Sequence, residues 1–240
     1  MQASCSTYLC GCVEHGSHLQ GRFNVVLRSD GVRGRSYNGK VERRESMSKL
    51  YLVRHGQTVF NVRHLIQGWC DSPLTELGIE QAKAARSMIE ERGVSFDSAC
   101  CSTAERACDT CEIITRNAIP YTRLKDLREF HFGSLEACDF GSVVPSTGCF
   151  GDTLVQYGGE RETEVAARMT AALTQFMLQP DHTCALAVSH GGAIMAFLSS
   201  WNSMNAVKIE RILGNCTVYE LDFNPDERSF SCVGYYTPQV

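Results

Sequence analysis

Two short segments of this chain combine a histidine with small or cationic neighbours in a way that suits phosphate chemistry. Arg54-His55-Gly56 ends the apolar run KLYLVR, and Ser189-His190-Gly191-Gly192 follows the apolar run CALAV. A phosphomonoester dianion calls for fixed cations and hydrogen-bond donors. Its cleavage calls in addition for a nucleophile and for a proton donor to the leaving alcohol. Neutral imidazole is a competent nucleophile near pH 7, because its ordinary pKa lies close by. Arg54 offers a bidentate fork to phosphate oxygens, and a glycine after each histidine lets the backbone approach a ligand closely. Two histidines at strand exits can face each other if their strands are neighbours.

The elements that must position them are legible from residue 49 onward, where strand-like and helix-like segments alternate. The sequence predicts strands at 49–54, 96–101, 121–124, 184–188, 217–223 and 229–235, and helices at 75–92, 103–117, 160–178 and 192–201. In the first helix Leu77, Ala82, Ala85, Met88 and Ile89 recur on one face and Gly93 stops it. Asn117 and Pro120 close the second. Residues 133–159 are rich in glycine and polar side chains and read as a loop, and Asn224-Pro225-Asp226 makes a turn between the last two strands. Such alternation predicts a three-layer α/β fold, with a mostly parallel sheet and helices on both faces. Sheets of this kind bind ligands beyond the carboxyl ends of their strands, which is where both histidines stand.

Composition narrows the class. The chain has 240 residues, 43% hydrophobic and 21% charged, enough for one well-buried domain. A formal charge of -4 argues against nucleic acid or an anionic membrane as partner. No apolar run approaches the roughly 20 residues of a membrane helix, and the N-terminus lacks the basic and apolar regions of a secretory signal. Thirteen cysteines at irregular spacing, ten of them inside core-like patterns, fit reduced thiols in the cytoplasm better than a disulfide scaffold. Cys108 and Cys111, one helical turn apart, read as helix packing rather than a redox or metal pair.

Residues 1–46 differ in character: they carry seven basic and four acidic residues, and they show no sustained period beyond a possible strand at 23–27. Met47 opens MSKLYLVRHG, and Arg44-Glu45 can be encoded by a purine-rich AGG-GAG. The expectation is that translation starts at Met47 and that 1–46 is a misassigned extension, leaving one domain at 47–240. Two decoys lie in that extension. Cys10, Cys12, His15 and His18 are spaced too tightly for a zinc site, and GRSYNGK at 34–40 lacks the Ser or Thr and the following helix of a P-loop.

The ordered motifs carry a resemblance. Leu52-Val53-Arg54-His55-Gly56-Gln57-Thr58 is similar to the RHG signature of the histidine phosphatase (phosphoglycerate mutase-like) superfamily, and Asn61 fits the asparagine after it. The stretch from Gln67-Gly68 through Asp71 to Thr75 resembles that family's QG-x-x-D-x-PLT segment. Ser102–Ala107 resembles SS-x-x-RA, Leu127–Gly133 resembles LRE-x-x-FG, and Val188–Gly192 resembles the second-histidine turn. A lone RHG is weak; five ordered motifs over about 49–200 are specific.

The resemblance implies that His55 attacks phosphorus and becomes phosphohistidine. It implies that Arg54, Arg106 and His190 hold the phosphoryl oxygens, with Asn61 adding a neutral donor and Gln67, Gly68 and Gly191 lining the substrate. Glu129 would protonate the leaving oxygen and then activate water, a role that asks for a raised pKa. Its neighbour Glu136 is a rival acid, disfavoured by the LRE match. His131 reads as a surface or lid residue, and His64 and His182 as solvated. No cofactor and no metal are implied, since the arginines supply the positive charge.

There are departures from the family pattern. Where the family often has WEG this chain has Leu135-Glu136-Ala137, which leaves the lid around 134–150 unassigned. The span from Glu129 to His190 is shorter than in the mutases, and a shorter lid admits water. The expected activity is therefore metal-independent hydrolysis of a small phosphorylated metabolite. A phosphoglycerate mutase is the alternative, and a catalytically silent phospho-ligand-binding protein the alternative of another class. Monomer and homodimer both stay open.

Overall fold

The computed structural model describes residues 47–142, 150–209 and 213–240. The extension 1–46, with its possible strand and its two decoys, lies outside the described residues, as does the 143–149 part of the expected lid.

Six strands form one sheet: β1 Ser48–Arg54, β2 Ser98–Ser102, β3 Tyr121–Leu124, β4 Cys184–Ser189, β5 Val218–Asn224 and β6 Ser229–Tyr236. Their order is β3-β2-β4-β1-β5-β6. The β3–β2, β2–β4 and β4–β1 pairs are parallel, and the β1–β5 and β5–β6 pairs are antiparallel. Five helices accompany the sheet: α1 Val59–Val62, α2 Glu76–Glu91, α3 Glu105–Thr115, α4 Glu162–Met177 and α5 Gly191–Ser200.

The period of two along the strands decides the layers. In β1, Leu50 and Leu52 enter one core with Val165, Met169 and Leu173 of α4 and Ile194 and Phe197 of α5. Tyr51 and Val53 enter the other core, with Ala82, Ala85 and Ile89 of α2 and Ala107, Cys111 and Ile114 of α3. A one-residue slip would exchange the two sets, so the alternation fixes the register. Leu50 and Leu52 are fully buried, and each such side chain contributes about 1.5–3 kcal/mol. This is the three-layer α/β arrangement expected, with four parallel strands from the β3 edge to β1 and the β5–β6 hairpin at the other edge.

Element ends shift where local chemistry decides them. Thr75 stands outside α2 as its cap, its Oγ1 accepting from Gly78 N at 3.0 Å. Arg116 and Asn117 both take the left-handed conformation and end α3. Phe96 lies before β2 and packs edge-on against Tyr51, with ring centroids 5.6 Å apart. The 133–159 loop holds short 3-10 turns at Gly133–Leu135, Phe140–Ser142 and Thr153–Tyr157. No helix among the described residues is long and apolar enough to cross a membrane. The nine described cysteines are all free thiols. Cys108 and Cys111 are buried in the α2–α3 core, as helix packing requires.

Candidate active site

Adjacent parallel strands bring the two histidines together. Arg54 and Ser189 are register partners at the ends of β1 and β4, and His55 N donates to Ser189 O at 3.0 Å. The imidazoles that follow meet edge to face, with centroids 5.1 Å apart and planes at 60°. His55 Nδ1 lies 2.8 Å from Gly56 O. A carbonyl only accepts, so Nδ1 carries the proton and Nε2 keeps its lone pair. His190 Nε2 meets Ser102 Oγ at 2.8 Å, while its buried Nδ1 has no partner among the described residues.

Two guanidiniums act on this pair. Arg106, fully buried near the start of α3, donates through Nη1 to Cys70 O at 3.0 Å and Asp71 Oδ1 at 2.9 Å, and through Nη2 to Gly68 O at 2.9 Å. Arg54 donates through Nη1 to Leu213 O at 2.7 Å. The Nε of each arginine is buried and unpartnered among the described residues. Buried donors are nearly always satisfied, and these three orphan nitrogens belong to the residues whose charges and ring act on His55, which suits a site for an anion.

Burial first, and then the charges of Arg106 and Arg54, holds His55 well below the usual imidazole range. Burial, Arg106 and the neighbouring His55 do the same to His190. Below about pH 6.5 the unfolded chain's imidazoles take up protons while the folded pair stays neutral. The unfolded state then binds more protons, so stability is lost as pH falls from that point. The loss is at most about 1.4 kcal/mol per pH unit for each ring. Thermal melts from pH 7 to 5 should show a steeper fall for the parent than for His190→Asn; parallel curves would contradict it.

Glu129 lies beside the second-histidine turn. Its Oε1 accepts from Phe130 N at 2.9 Å and Ala193 N at 2.7 Å, and its Oε2 accepts from Gly192 N at 2.8 Å. The N-terminus of α5 therefore holds this carboxylate. A Cβ on Gly192 would sit 2.8 Å from Glu129 Oε1, so the second glycine of the turn is the one that makes room for the acid. Gly191, expected to line the substrate, is the first residue of α5.

Glu136, the rival acid, is likewise engaged through both oxygens, but by the 68–70 loop rather than by the second-histidine turn. It accepts from Gly68 N, Trp69 N, Cys70 N and Phe132 N. Burial opposes its charge, yet the hydrogen bond with Cys70 and those backbone donors outweigh it and hold the carboxyl below its usual range. By gathering these N–H groups, Glu136 leaves the carbonyls of Gly68 and Cys70 to Arg106. Leu135, in the WEG position, is buried in the α4–α5 core.

The structure revises what two of the expected substrate residues touch. Gln67 spends its amide inside the protein, its Oε1 accepting from Thr58 Oγ1 at 2.7 Å and its Nε2 donating to Ser72 Oγ at 3.0 Å. Gly68 is there for close approach: a Cβ would meet Phe130 O at 2.2 Å. Asn61 Oδ1 accepts from Thr58 N and Asn215 Nδ2, which leaves its Nδ2 as the end able to donate to a ligand. His131 packs at a tilt of 55° against the half-exposed Trp69, with ring centroids 4.6 Å apart. His64 is exposed, whereas His182 is not simply solvated: its Nδ1 donates to Phe176 O at 2.7 Å.

Several residues that hold the site escaped the sequence reading. Asp71 anchors Arg106 and also accepts from Glu105 N at 2.6 Å, capping a helix whose own cap residue is Ala104. Thr110 Oγ1 accepts from Gly56 N and donates to Arg106 O. Asn215 Nδ2 reaches His55 O at 3.0 Å. Asp71 and Ser102 lie inside motif segments and were findable there; Thr110 and Asn215 leave no signal in the sequence.

An α/β sheet that delivers two imidazoles and two guanidiniums to one point defines a histidine phosphatase-type protein. The comparisons agree: the histidine phosphatase superfamily (branch 1) model matches residues 50–235, and the chain belongs to that family, whose members are phosphatases and mutases. It is 34% identical over 187 residues to a probable phosphoglycerate mutase GpmB of Proteus mirabilis, covering 74% of this chain and 86% of that one. Among solved structures it is similar to a phosphoglycerate mutase from Bacillus anthracis str. Sterne, with TM-score 0.70, 21% identity and coverage of 79% and 93%. It is also similar to a mycobacterial glucosyl-3-phosphoglycerate phosphatase in complex with VO3, with TM-score 0.61, 27% identity and coverage of 72% and 92%.

Proposed function

We propose that this chain hydrolyses a phosphomonoester of a small metabolite through a phosphohistidine on His55. The observation that carries the reading is the buried His55, its Nδ1 on Gly56 O and its Nε2 without a partner among the described residues. It lies under the charges of Arg54 and Arg106 and against the ring of His190, and the arginines' Nε and the His190 Nδ1 are likewise unpartnered there. In the first step Nε2 attacks phosphorus as the P–O bond to the leaving alcohol breaks, and Glu129 gives that oxygen its proton. Arg54, Arg106 and His190 meet the non-bridging oxygens as charge spreads over them, and Asn61 Nδ2 adds a neutral donor. In the second step water attacks phosphorus, Glu129 takes its proton, and the P–N bond breaks to restore His55.

The short span between Glu129 and His190 supports water rather than a second substrate as acceptor, as does the likeness to a glucosyl-3-phosphoglycerate phosphatase. The names of the GpmB relatives favour a second reading, transfer between phosphoglycerates. Free thiols throughout the described residues fit a reducing compartment. A panel of metabolite phosphomonoesters assayed with EDTA tests the proposal. We expect phosphate release that EDTA leaves unchanged; loss with EDTA would contradict the metal-free route. Isomerisation dependent on 2,3-bisphosphoglycerate, without net phosphate release, would replace hydrolysis by the mutase reading.

A further inference from the structure

Glu129 needs more than its carboxylate contacts to face a leaving oxygen, because its main chain runs through an irregular segment between the 3-10 turns Lys125–Leu127 and Gly133–Leu135. Ser189 Oγ donates to Leu127 O at 2.8 Å, and Arg168 grips three more carbonyls of that main chain. Arg168 of α4 donates through Nη1 to Asp126 O and Arg128 O, both at 2.7 Å, and through Nη2 to Glu129 O at 3.0 Å. Its Nε and Nη2 reach the two oxygens of Glu160 at 2.9 and 3.0 Å. All five guanidinium donors are thus used, in the fork geometry that only arginine offers. Glu160 in turn accepts from His131 N at 2.8 Å and donates its own N–H to His131 O at 2.9 Å. Trp69 Nε1 meets Glu129 O at 3.2 Å from the other side.

We infer that Arg168, oriented by Glu160, is a positioning residue of Glu129: it fixes the 126–129 backbone, as the α5 N-terminus fixes the carboxylate, so that the carboxyl reaches the leaving oxygen. This rests on the reading of Glu129 as proton donor. Neither Arg168 nor Glu160 touches substrate; both act through the acid. Arg168→Lys keeps the positive charge but replaces a planar fork by a single nitrogen, which cannot span three carbonyls and a carboxylate.

The test is the dependence of kcat/KM on the leaving group. This parameter reads every step up to departure of the alcohol. p-Nitrophenolate leaves without a proton, whereas an alkoxide needs one. A misplaced acid therefore slows an alkyl phosphate and spares p-nitrophenyl phosphate, while a general loosening of the fold slows both alike. For Arg168→Lys we expect about a 100-fold loss on the alkyl ester and less than about 3-fold on the aryl ester. Glu160→Gln, which keeps one acceptor for the guanidinium, should show the same selectivity at about tenfold; it decides the matter if Arg168→Lys fails to fold. Glu129→Gln is the reference. A selective Glu129→Gln with equal losses, or none, for the other two overturns the clamp alone. An unselective Glu129→Gln overturns the acid assignment, and the clamp with it.

Discussion

His55→Ala is expected to lose turnover by on the order of 10⁴–10⁶-fold, the scale seen when a nucleophile is removed from a group that acts as a unit. It should also leave no acid-labile phosphoenzyme in a rapid quench. The expectation follows from what else the imidazole does. Among the described residues its ring makes one hydrogen bond, to the adjacent Gly56 carbonyl, and an edge contact with His190. Removing it takes no scaffold bond away from another element, and it relieves a buried imidazole held neutral by burial and two arginine charges. The fold should survive at neutral pH while chemistry does not. The check is single-turnover quench with a labelled monoester, alongside circular dichroism. A folded variant that still traps phosphate on protein would move the nucleophile elsewhere, and a variant with a tenth of parental activity would remove phosphohistidine from the mechanism.

Arg106→Lys should lower kcat about 1,000-fold, the scale of a transition-state arginine in phosphoryl transfer, with a smaller change in KM. The guanidinium has two tasks at once. Its Nη atoms hold Asp71 and the carbonyls of Gly68 and Cys70, and its Nε edge is left over. A lysine has one nitrogen in place of the fork. Pulled toward Asp71 it leaves the phosphoryl oxygens, and pulled toward them it leaves Asp71 and two buried carbonyls unpaired. Because the missing contact matters most as charge spreads, the loss falls on kcat. Steady-state kinetics read the split: a rise in KM with kcat intact would make Arg106 a ground-state anchor and nothing more.

The sequence by itself determined the frame. Continuous apolar runs such as those within KLYLVR and CALAV report burial on both sides of a strand, and the five ordered motifs place Arg54, His55, Arg106 and His190 at strand exits or a helix start and pick out Glu129. These are local properties of residue type and spacing, so they are readable without coordinates. Which way a polar side chain turns is not local. Gln67 reads as a substrate contact, yet Thr58 and Ser72 take both ends of its amide. Glu129 and Glu136 are equivalent carboxylates seven positions apart. Both accept backbone N–H groups through both oxygens; what separates them is place, the 68–70 loop packing on one and the α5 N-terminus, at the second-histidine turn, on the other. Asp71 and Arg168 acquire their roles from partners 35 and 39 positions distant. A chain shows its donors and acceptors one at a time; which of them pair, and which stay unsatisfied and face a ligand, is decided when tertiary burial makes every unpaired group costly.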